Sequence, residues 1–167
     1  AFNMATDAQR QAGSSIKPLT GYAPAFETGE INPATVITDL PLYYTKPDSP
    51  FPRNSNRKYN YSMTVLDGIK DSVNAVAVHP LDKIGTRYSF DFGKYKFRLS
   101  GLYEGNANAS DLNYSPLGLG GLTMGATVRD MASAYATFAN DGVYREGRTF
   151  TKVYDSQGEL VLDNTQE

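Results

Sequence analysis

Cysteine is absent from this sequence of 167 residues, and His79 is its single histidine. A disulfide framework and a thiolate metal site are therefore excluded, and one histidine cannot build a histidine cluster. We accordingly expect neither a bound metal nor a cofactor. No run of about 18 apolar residues occurs, and the first residues lack the basic and then apolar pattern of a signal peptide. Any membrane anchor is therefore expected outside this stretch.

A strong excess of charge of either sign is also missing. The chain has 16 lysines and arginines against 18 aspartates and glutamates, which leaves a formal net charge of −2. Nucleic acid is therefore not expected as a partner, since it is bound through a basic field. The length suits one domain that buries about 70% of the surface exposed by the unfolded chain.

A serine and a lysine three positions apart stand near the start, as Ser14 and Lys17. At that spacing both side chains lie on one face of a helix, and Pro18 fits its first turn. A lysine can take the proton of a serine when desolvation and nearby positive charge lower the lysine pKa. The pattern alone is equally typical of an ordinary polar helix start. A second copy at residues 55–58 lies in loop sequence and offers no helix start.

Hydrophobic periodicity predicts a mainly helical chain. Apolar residues recur at three- and four-residue steps over 62–78, with Ser62 or Thr64 as N-cap and a break into two helices near 71–74. A less regular helical segment spans 81–94. The clearest helix is 127–140, and its apolar stripe is expected to lie in the core; the stripe consists of Val128, Met131, Ala132, Tyr135, Phe138 and Ala139.

The remaining stretches predict loops and one hairpin. Residues 22–60, rich in proline and aromatic side chains, are interpreted as an ordered, extended loop layer, and 100–121 as a glycine-rich loop. Strand-like sequence on both sides of residues 155–158 predicts a small β-hairpin over 149–162.

The triplet Ser72-Val73-Asn74 is the only Ser-x-Asn in the chain. Its hydroxyl can relay a proton, and its amide can both donate and accept hydrogen bonds. Taken alone, the triplet is also typical of a polar break between helices. Its position downstream of a Ser-x-x-Lys makes a shared catalytic site the more informative hypothesis.

These motifs belong to a longer resemblance. Matching segments run in order along essentially the whole chain, at residues 2–6, 10–18, 52–54, 63–66, 72–74, 117–120 and 128–142, together with Asp39 and Tyr59. They resemble the penicillin-binding proteins, most closely the transpeptidase domain of the bifunctional class A enzymes. The resemblance implies an α+β fold of the serine beta-lactamase and transpeptidase type.

The resemblance implies a D,D-transpeptidase that cross-links peptidoglycan and is acylated by beta-lactams. Ser14 would be the nucleophile and Lys17 its base, while Ser72 and Asn74 would relay protons and hold the substrate amide. The implied partners are peptidoglycan stem peptides, beta-lactam antibiotics and the remainder of a parent protein. The implied location is outside the cytoplasm, at the cell surface or in the periplasm, with the parent anchored in the membrane.

Two departures from the family pattern stand out. Ala12 occupies a position where the family usually has proline, and the third family motif, Lys-Thr-Gly or Lys-Ser-Gly on a strand, is absent. Residues 1–167 are therefore expected to form one partial transpeptidase domain, mainly α with long loops and a small β-hairpin, with most of the central sheet missing. We expect this segment by itself to be a poor enzyme.

Two alternatives stay open at this point. A serine beta-lactamase shares the first motif and the architecture, although the Ser-Asp-Asn signature of class A beta-lactamases is absent because position 73 is valine. A non-catalytic cell-wall binding module would use the tyrosine-rich loop and keep Ser14 and Lys17 as relics. The lifetime of an acyl-enzyme distinguishes the first alternative, and muropeptide binding by a Ser14→Ala variant distinguishes the second.

Overall fold

A computed structural model describes residues 2–106 and 109–165, so Asn108 of the predicted glycine-rich loop lies outside the described residues. The fold is mainly helical, as the sequence predicts. A 3₁₀ turn and a π-helical turn lead into the first α-helix, and another π-helical turn follows the fourth. The 3₁₀ turn is Gly13–Ile16, the π-helical turns are Lys17–Tyr22 and Phe92–Lys96, and the α-helices are α1 (Ala23–Glu27), α2 (Val65–Lys70), α3 (Asn74–Ile84), α4 (Thr86–Asp91), α5 (Tyr114–Leu119) and α6 (Val128–Ala139).

Three separate two-stranded antiparallel sheets accompany the helices within the described part of the chain. The pairs are β1 (Val36–Asp39) with β4 (Tyr61–Thr64), β2 (Tyr43–Lys46) with β3 (Ser49–Phe51), and β5 (Lys152–Tyr154) with β6 (Leu160–Asp163). The last pair confirms the predicted hairpin, and Gly158 takes a φ of 88° in its turn. The interpretation of 22–60 as extended loop missed α1 and three short strands.

The helix starts follow their capping residues. Thr64 accepts a hydrogen bond from the backbone N–H of Asp67 at 3.1 Å, and Thr127 accepts one from Asp130 at 3.0 Å. Both threonines satisfy a donor that the first helical turn leaves unpaired. The predicted break near residues 71–74 is present, because α2 ends at Lys70 and α3 begins at Asn74.

The segment of residues 13–27 runs through the centre of the molecule. Its Ile16 and Leu19 belong to one buried apolar cluster, whereas its Tyr22 and Ala25 belong to a second one. Leu81 and Leu117 complete the first cluster from α3 and α5. Burial on both sides therefore fixes the backbone on which Ser14 and Lys17 stand.

Most of the apolar stripe of α6 does not lie in the core, so that prediction was wrong; only Met131 is partly buried against the first cluster. Val128, Tyr135 and Phe138 are 60%, 38% and 51% exposed. The helix instead turns its other face inward, and the buried residues of that face are Asp130, Ser133, Ala134 and Thr137. Periodicity identifies which face of a helix is apolar, but only the neighbouring elements decide which face is covered.

Membrane crossing is not supported by any described helix. Within residues 2–106 and 109–165, none combines the length and the hydropathy that a span requires.

Candidate active site

The candidate nucleophile lies at the surface end of the central segment. Gly13 takes a φ of 55°, and Ser14 follows it, exposed, in the 3₁₀ turn. The next residue, Ser15, donates its hydroxyl to the carbonyl of Ala12 at 2.6 Å and accepts the phenol of Tyr135 on its own carbonyl at 2.7 Å. The turn that carries Ser14 is therefore held by α6 as well as by its own backbone.

A close backbone contact presses the loop after α5 against this turn. The N–H of Gly13 donates to the carbonyl of Gly120 at 3.3 Å, and Gly120 takes a φ of 79°. A Cβ at position 120 would overlap the carbonyl oxygen of Gly13 and lie 2.5 Å from its nitrogen. Position 120 therefore requires glycine both for its conformation and for space.

We expect Gly120→Ala to destabilise the chain by about 2 kcal/mol more than Gly142→Ala does. The control residue has a similar φ of 81° but no atom within 4 Å of its added Cβ, so it carries only the conformational cost. Urea unfolding of both variants measures the difference. Equal losses of stability would show that the contact with Gly13 has no energetic weight.

A left-handed residue shapes the second part of the site. Ser72 takes a φ of 53° between α2 and α3, a conformation that residues other than glycine adopt infrequently. In this conformation both its carbonyl and its hydroxyl face Lys17. Strained backbone of this kind concentrates at functional sites.

Lys17 joins the two parts of the site. It is only 2% exposed, and its Nζ donates hydrogen bonds to Ser72 O at 2.5 Å, Ser72 Oγ at 3.0 Å and Asn74 Oδ1 at 2.7 Å. Burial lowers the pKa of this amine to about 8, because desolvation disfavours its charged form. An appreciable fraction of the amine is therefore neutral near neutral pH.

The three acceptors differ in what they can do when Lys17 loses its proton. A charged amine donates three hydrogen bonds, which matches the three oxygens, whereas a neutral amine keeps two donors and gains a lone pair. The carbonyl of Ser72 and the amide oxygen of Asn74 can only accept. The hydroxyl of Ser72 can reverse its role and donate to the lone pair of the neutral amine. It can therefore stay hydrogen-bonded to Lys17 in both protonation states of the amine.

A buried polar network in residues 39–60 supports the second motif. Asp39 is fully buried and accepts hydrogen bonds from Asn54 Nδ2 at 2.7 Å and from the backbone N–H of Asn60 at 2.7 Å. Asn54 Oδ1 then accepts the N–H of Ala75 at 3.0 Å, in the first turn of α3. Asn74 Nδ2 donates to the carbonyl of Arg53 at 2.7 Å. We call these contacts the Asp39–Asn54 network.

Sequence reasoning gave Asp39 and Asn54 no role in the site, although both lie in segments that carry the family resemblance. The signal that could have found them is their residue type, since an aspartate and an asparagine buried in a loop need polar partners. Which partners they choose depends on the folded loop.

The structure brings three of the four predicted site residues into direct contact. Lys17, Ser72 and Asn74 share the hydrogen bonds given above. Ser14 stands three residues before Lys17 on the same segment, and its hydroxyl makes no hydrogen bond within the described residues. The described residues also contain no group of three or more histidine, cysteine or acidic side chains that could hold a metal ion.

Comparison with known proteins identifies the fold and its class. The family model described as "Penicillin binding protein transpeptidase domain" matches residues 1–167. Penicillin-binding protein 1A of Clostridium novyi is 38% identical over 170 residues, which cover 98% of this chain and 19% of that protein. The structure of penicillin-binding protein 1A from Haemophilus influenzae aligns with a TM-score of 0.76 at 28% identity, over 97% of this chain and 23% of that one.

A more distant structure shares the fold at low sequence identity. The imipenem acyl-enzyme complex of penicillin-binding protein A from M. tuberculosis has a TM-score of 0.78 at 16% identity, over 98% of this chain and 40% of that one. The fold is therefore the helix-rich part of a penicillin-binding transpeptidase domain. The chain belongs to the penicillin-binding protein transpeptidase family, as its motifs predict, and it spans about a fifth to a quarter of the length of the curated relatives it matches.

Proposed function

We propose that residues 1–167 form the nucleophile-bearing part of a serine D,D-transpeptidase domain that cross-links peptidoglycan. The observation that carries the proposal is the set of hydrogen bonds from the buried amine of Lys17 to Ser72 and Asn74. Lys17 lies on the same segment as Ser14, so these contacts bring the second motif to the segment that presents the candidate nucleophile. Family membership supports the reaction class. Because the substrate lies outside the cytoplasm, the site would work at the cell surface or in the periplasm, with any membrane anchor outside this segment.

The proposed reaction has two acyl-transfer steps. Ser14 Oγ attacks the carbonyl of the penultimate D-alanine while Lys17 takes its proton, and the C–N bond to the terminal D-alanine breaks as that proton reaches the leaving amine. An amine of a neighbouring stem peptide then attacks the ester carbonyl. The amide forms, the C–O bond to Ser14 breaks, and the serine recovers a proton.

Ser72 and Asn74 would assist without forming covalent bonds. The hydroxyl of Ser72 can both accept from and donate to Lys17, which suits a proton relay. Asn74 uses one N–H of its amide on Arg53 and its oxygen on Lys17, so its second N–H can hold the substrate amide.

Beta-lactams are the second proposed class of partner. They would acylate Ser14 through their strained amide, which presents a carbonyl to the same nucleophile. The neighbour from M. tuberculosis is described as an imipenem acyl-enzyme complex, and its fold is shared by this chain.

Mapping of a beta-lactam adduct in the full-length protein that carries this segment tests the proposal. We expect a stoichiometric, long-lived adduct on the peptide that contains Ser14, and amide formation when a stem-peptide donor and an amine acceptor are supplied. An adduct that forms and hydrolyses rapidly would favour the beta-lactamase alternative. A third outcome would identify a binding module. In that case the protein would bind muropeptide without forming an adduct or an amide product, and Ser14→Ala would leave the muropeptide affinity unchanged.

A further inference from the structure

Helix α3 begins without a capping side chain of its own. Its N-cap residue is Val73, whose side chain has no oxygen and forms no cap hydrogen bond. A side-chain cap usually accepts the N–H of the second or third helical residue, which has no partner within the helix. In α3 the second residue is Ala75, and its N–H donates to Asn54 Oδ1 at 3.0 Å. Asn54 is 21 positions away in the sequence, so a distant loop caps this helix.

Acceptor groups hold the side-chain amide of Asn54 in one orientation. Its Nδ2 donates to Asp39 Oδ1 at 2.7 Å and to the carbonyl of Lys58 at 2.9 Å. A carboxylate and a carbonyl can only accept, so turning the amide over would face its oxygen to both of them and its nitrogen to the N–H of Ala75. Asn54 is 5% exposed and Asp39 is fully buried, so bulk water could not replace the lost hydrogen bonds. Asp39 therefore helps to determine which end of the amide faces α3.

The backbone beside Asn54 orients the side chain of Asn74 in the same way. Asn74 Nδ2 donates to the carbonyl of Arg53 at 2.7 Å, and Asn74 Oδ1 accepts from Lys17 Nζ at 2.7 Å. Because a carbonyl cannot donate, it selects the orientation in which the amide oxygen of Asn74 faces the amine. Two adjacent loop residues thus hold two adjacent residues at the start of α3. A shift of the loop would break both contacts and leave the Asn74 amide free to turn.

We propose that Asn54, oriented by Asp39, is a positioning residue that keeps the amide oxygen of Asn74 on Lys17. Its effect on rate rests on the proposed function, in which Lys17 is the base and Asn74 holds the substrate amide. Asn54 acts through the start of α3, which its hydrogen bond to the N–H of Ala75 holds in place. If the Asn74 amide turned over, its nitrogen would face the charged amine, which has no lone pair to accept a hydrogen bond. Lys17 would then lose one of its three acceptors.

Asp39→Asn tests the proposal with almost no change in side-chain volume. Asp39 Oδ2 accepts from the backbone N–H and from Nδ2 of Asn60, at 2.7 and 3.0 Å, while Oδ1 accepts from Asn54. An asparagine has one oxygen, so its NH2 group would face a donor on one side. In the full-length protein that carries this segment, we expect beta-lactam acylation to slow about tenfold, measured by stopped-flow with a chromogenic cephalosporin. An unchanged rate in a protein that is acylated at Ser14 would overturn the proposal.

Asp111→Asn is the matched control. Asp111 is also fully buried, and it accepts the backbone N–H groups of Tyr103 at 2.9 Å and Thr123 at 2.7 Å. These hydrogen bonds lead into the loops around α5 rather than to the start of α3. We expect Asp111→Asn to lower the melting temperature as Asp39→Asn does, but to keep the acylation rate of the unsubstituted protein within about twofold. Equal slowing by both variants would reflect lost stability, and the positioning role would be wrong.

A double-mutant cycle between Asn54 and Asn74 separates positioning from a purely structural role, and it decides the matter if Asp39→Asn folds poorly. Asn54→Ala alone should slow acylation about tenfold. When Asn74 is already alanine, the same change should slow acylation by less than about twofold, because the side chain that Asn54 positions is gone. Given acylation at Ser14, equal slowing in both backgrounds, or in neither, would show that Asn54 does not act through Asn74.

Crystal structures of the unsubstituted protein and of Asn54→Ala distinguish the positioning role from the proposed function. In the variant we expect Asn74 Oδ1 to lie beyond hydrogen-bond distance of Lys17 Nζ, whatever the acylation rate. An unchanged contact would overturn the positioning role even if Ser14 were acylated. A lost contact in a protein whose Ser14 never forms a beta-lactam adduct would instead overturn the proposed function and support the positioning of Asn74.

Discussion

We expect Ser14→Ala and Lys17→Met each to lower the rate of beta-lactam acylation of the full-length protein by about 1000-fold or more. In the proposed mechanism the serine supplies the attacking oxygen and the lysine removes its proton, so either loss would disable one catalytic unit. Groups that act as a unit are strongly non-additive, and the double variant should be no slower than the slower single variant. Stopped-flow acylation with a chromogenic cephalosporin measures all three rates.

The proposed role of Lys17 as base would have its own signature in the pH profile of acylation. With a pKa of about 8, the neutral fraction of the amine rises roughly tenfold per pH unit between pH 6 and 7 and levels off above 8. Acylation should follow the same curve. Lys70→Met is the control, because Lys70 is exposed on α2, 3.7 Å from Asp67. A Lys17→Met variant that kept the parent rate and profile would exclude this lysine as the base.

The 167-residue chain alone should be labelled by beta-lactams about 100- to 1000-fold more slowly than the full-length protein. Stabilisation of the tetrahedral intermediate needs two N–H donors, and the loss of one typically costs a factor of this size. The sequence resemblance implies that one donor comes from the strand that carries the third motif, which this sequence lacks. Groups that hold the substrate carboxylate would be lost with that strand.

Intact-mass spectra recorded over time provide this comparison. Circular dichroism of the chain is the control, since slow labelling is informative only if the helices are formed. Rapid stoichiometric labelling of the folded chain would show that residues 1–167 contain a sufficient oxyanion site. The missing strand would then have a smaller part in catalysis than the family pattern implies.

The sequence predicted best those elements whose signals are local. The caps at Thr64 and Thr127 and the turn at Gly158 each lie within a few residues of the element they define. By contrast, α5 was missed because glycine and proline in its sequence resemble a loop. Its stability comes from long-range packing, since Gly118 lets α5 approach α3 so closely that a Cβ would lie 2.9 Å from Val78.

The candidate site likewise has features that local sequence predicts and contacts that depend on residues far apart in the chain. The four motif residues were chosen as candidates from their order along the chain together with the family resemblance, since their spacing alone also fits ordinary helix starts and breaks. The Asp39–Asn54 network was not predicted, because each of its hydrogen bonds joins residues 15 or more positions apart. Likewise, the apolar stripe of α6 was identified correctly from its period, but its exposure depends on which elements the described chain places beside it.

If the proposed function is correct, the Asp39–Asn54 network has a consequence for resistance to beta-lactams. Asn54 forms its hydrogen bonds with Asp39, Lys58 and Ala75 rather than with Ser14 or Lys17. Through Ala75 it holds the first turn of α3, where Asn74 accepts a hydrogen bond from the amine of Lys17. Under the proposed function, a substitution of Asn54 would then change how fast a beta-lactam acylates Ser14 without replacing any of the four candidate site residues. A screen for beta-lactam resistance that covered only those four residues would miss such substitutions, so it should also include residues 39–60.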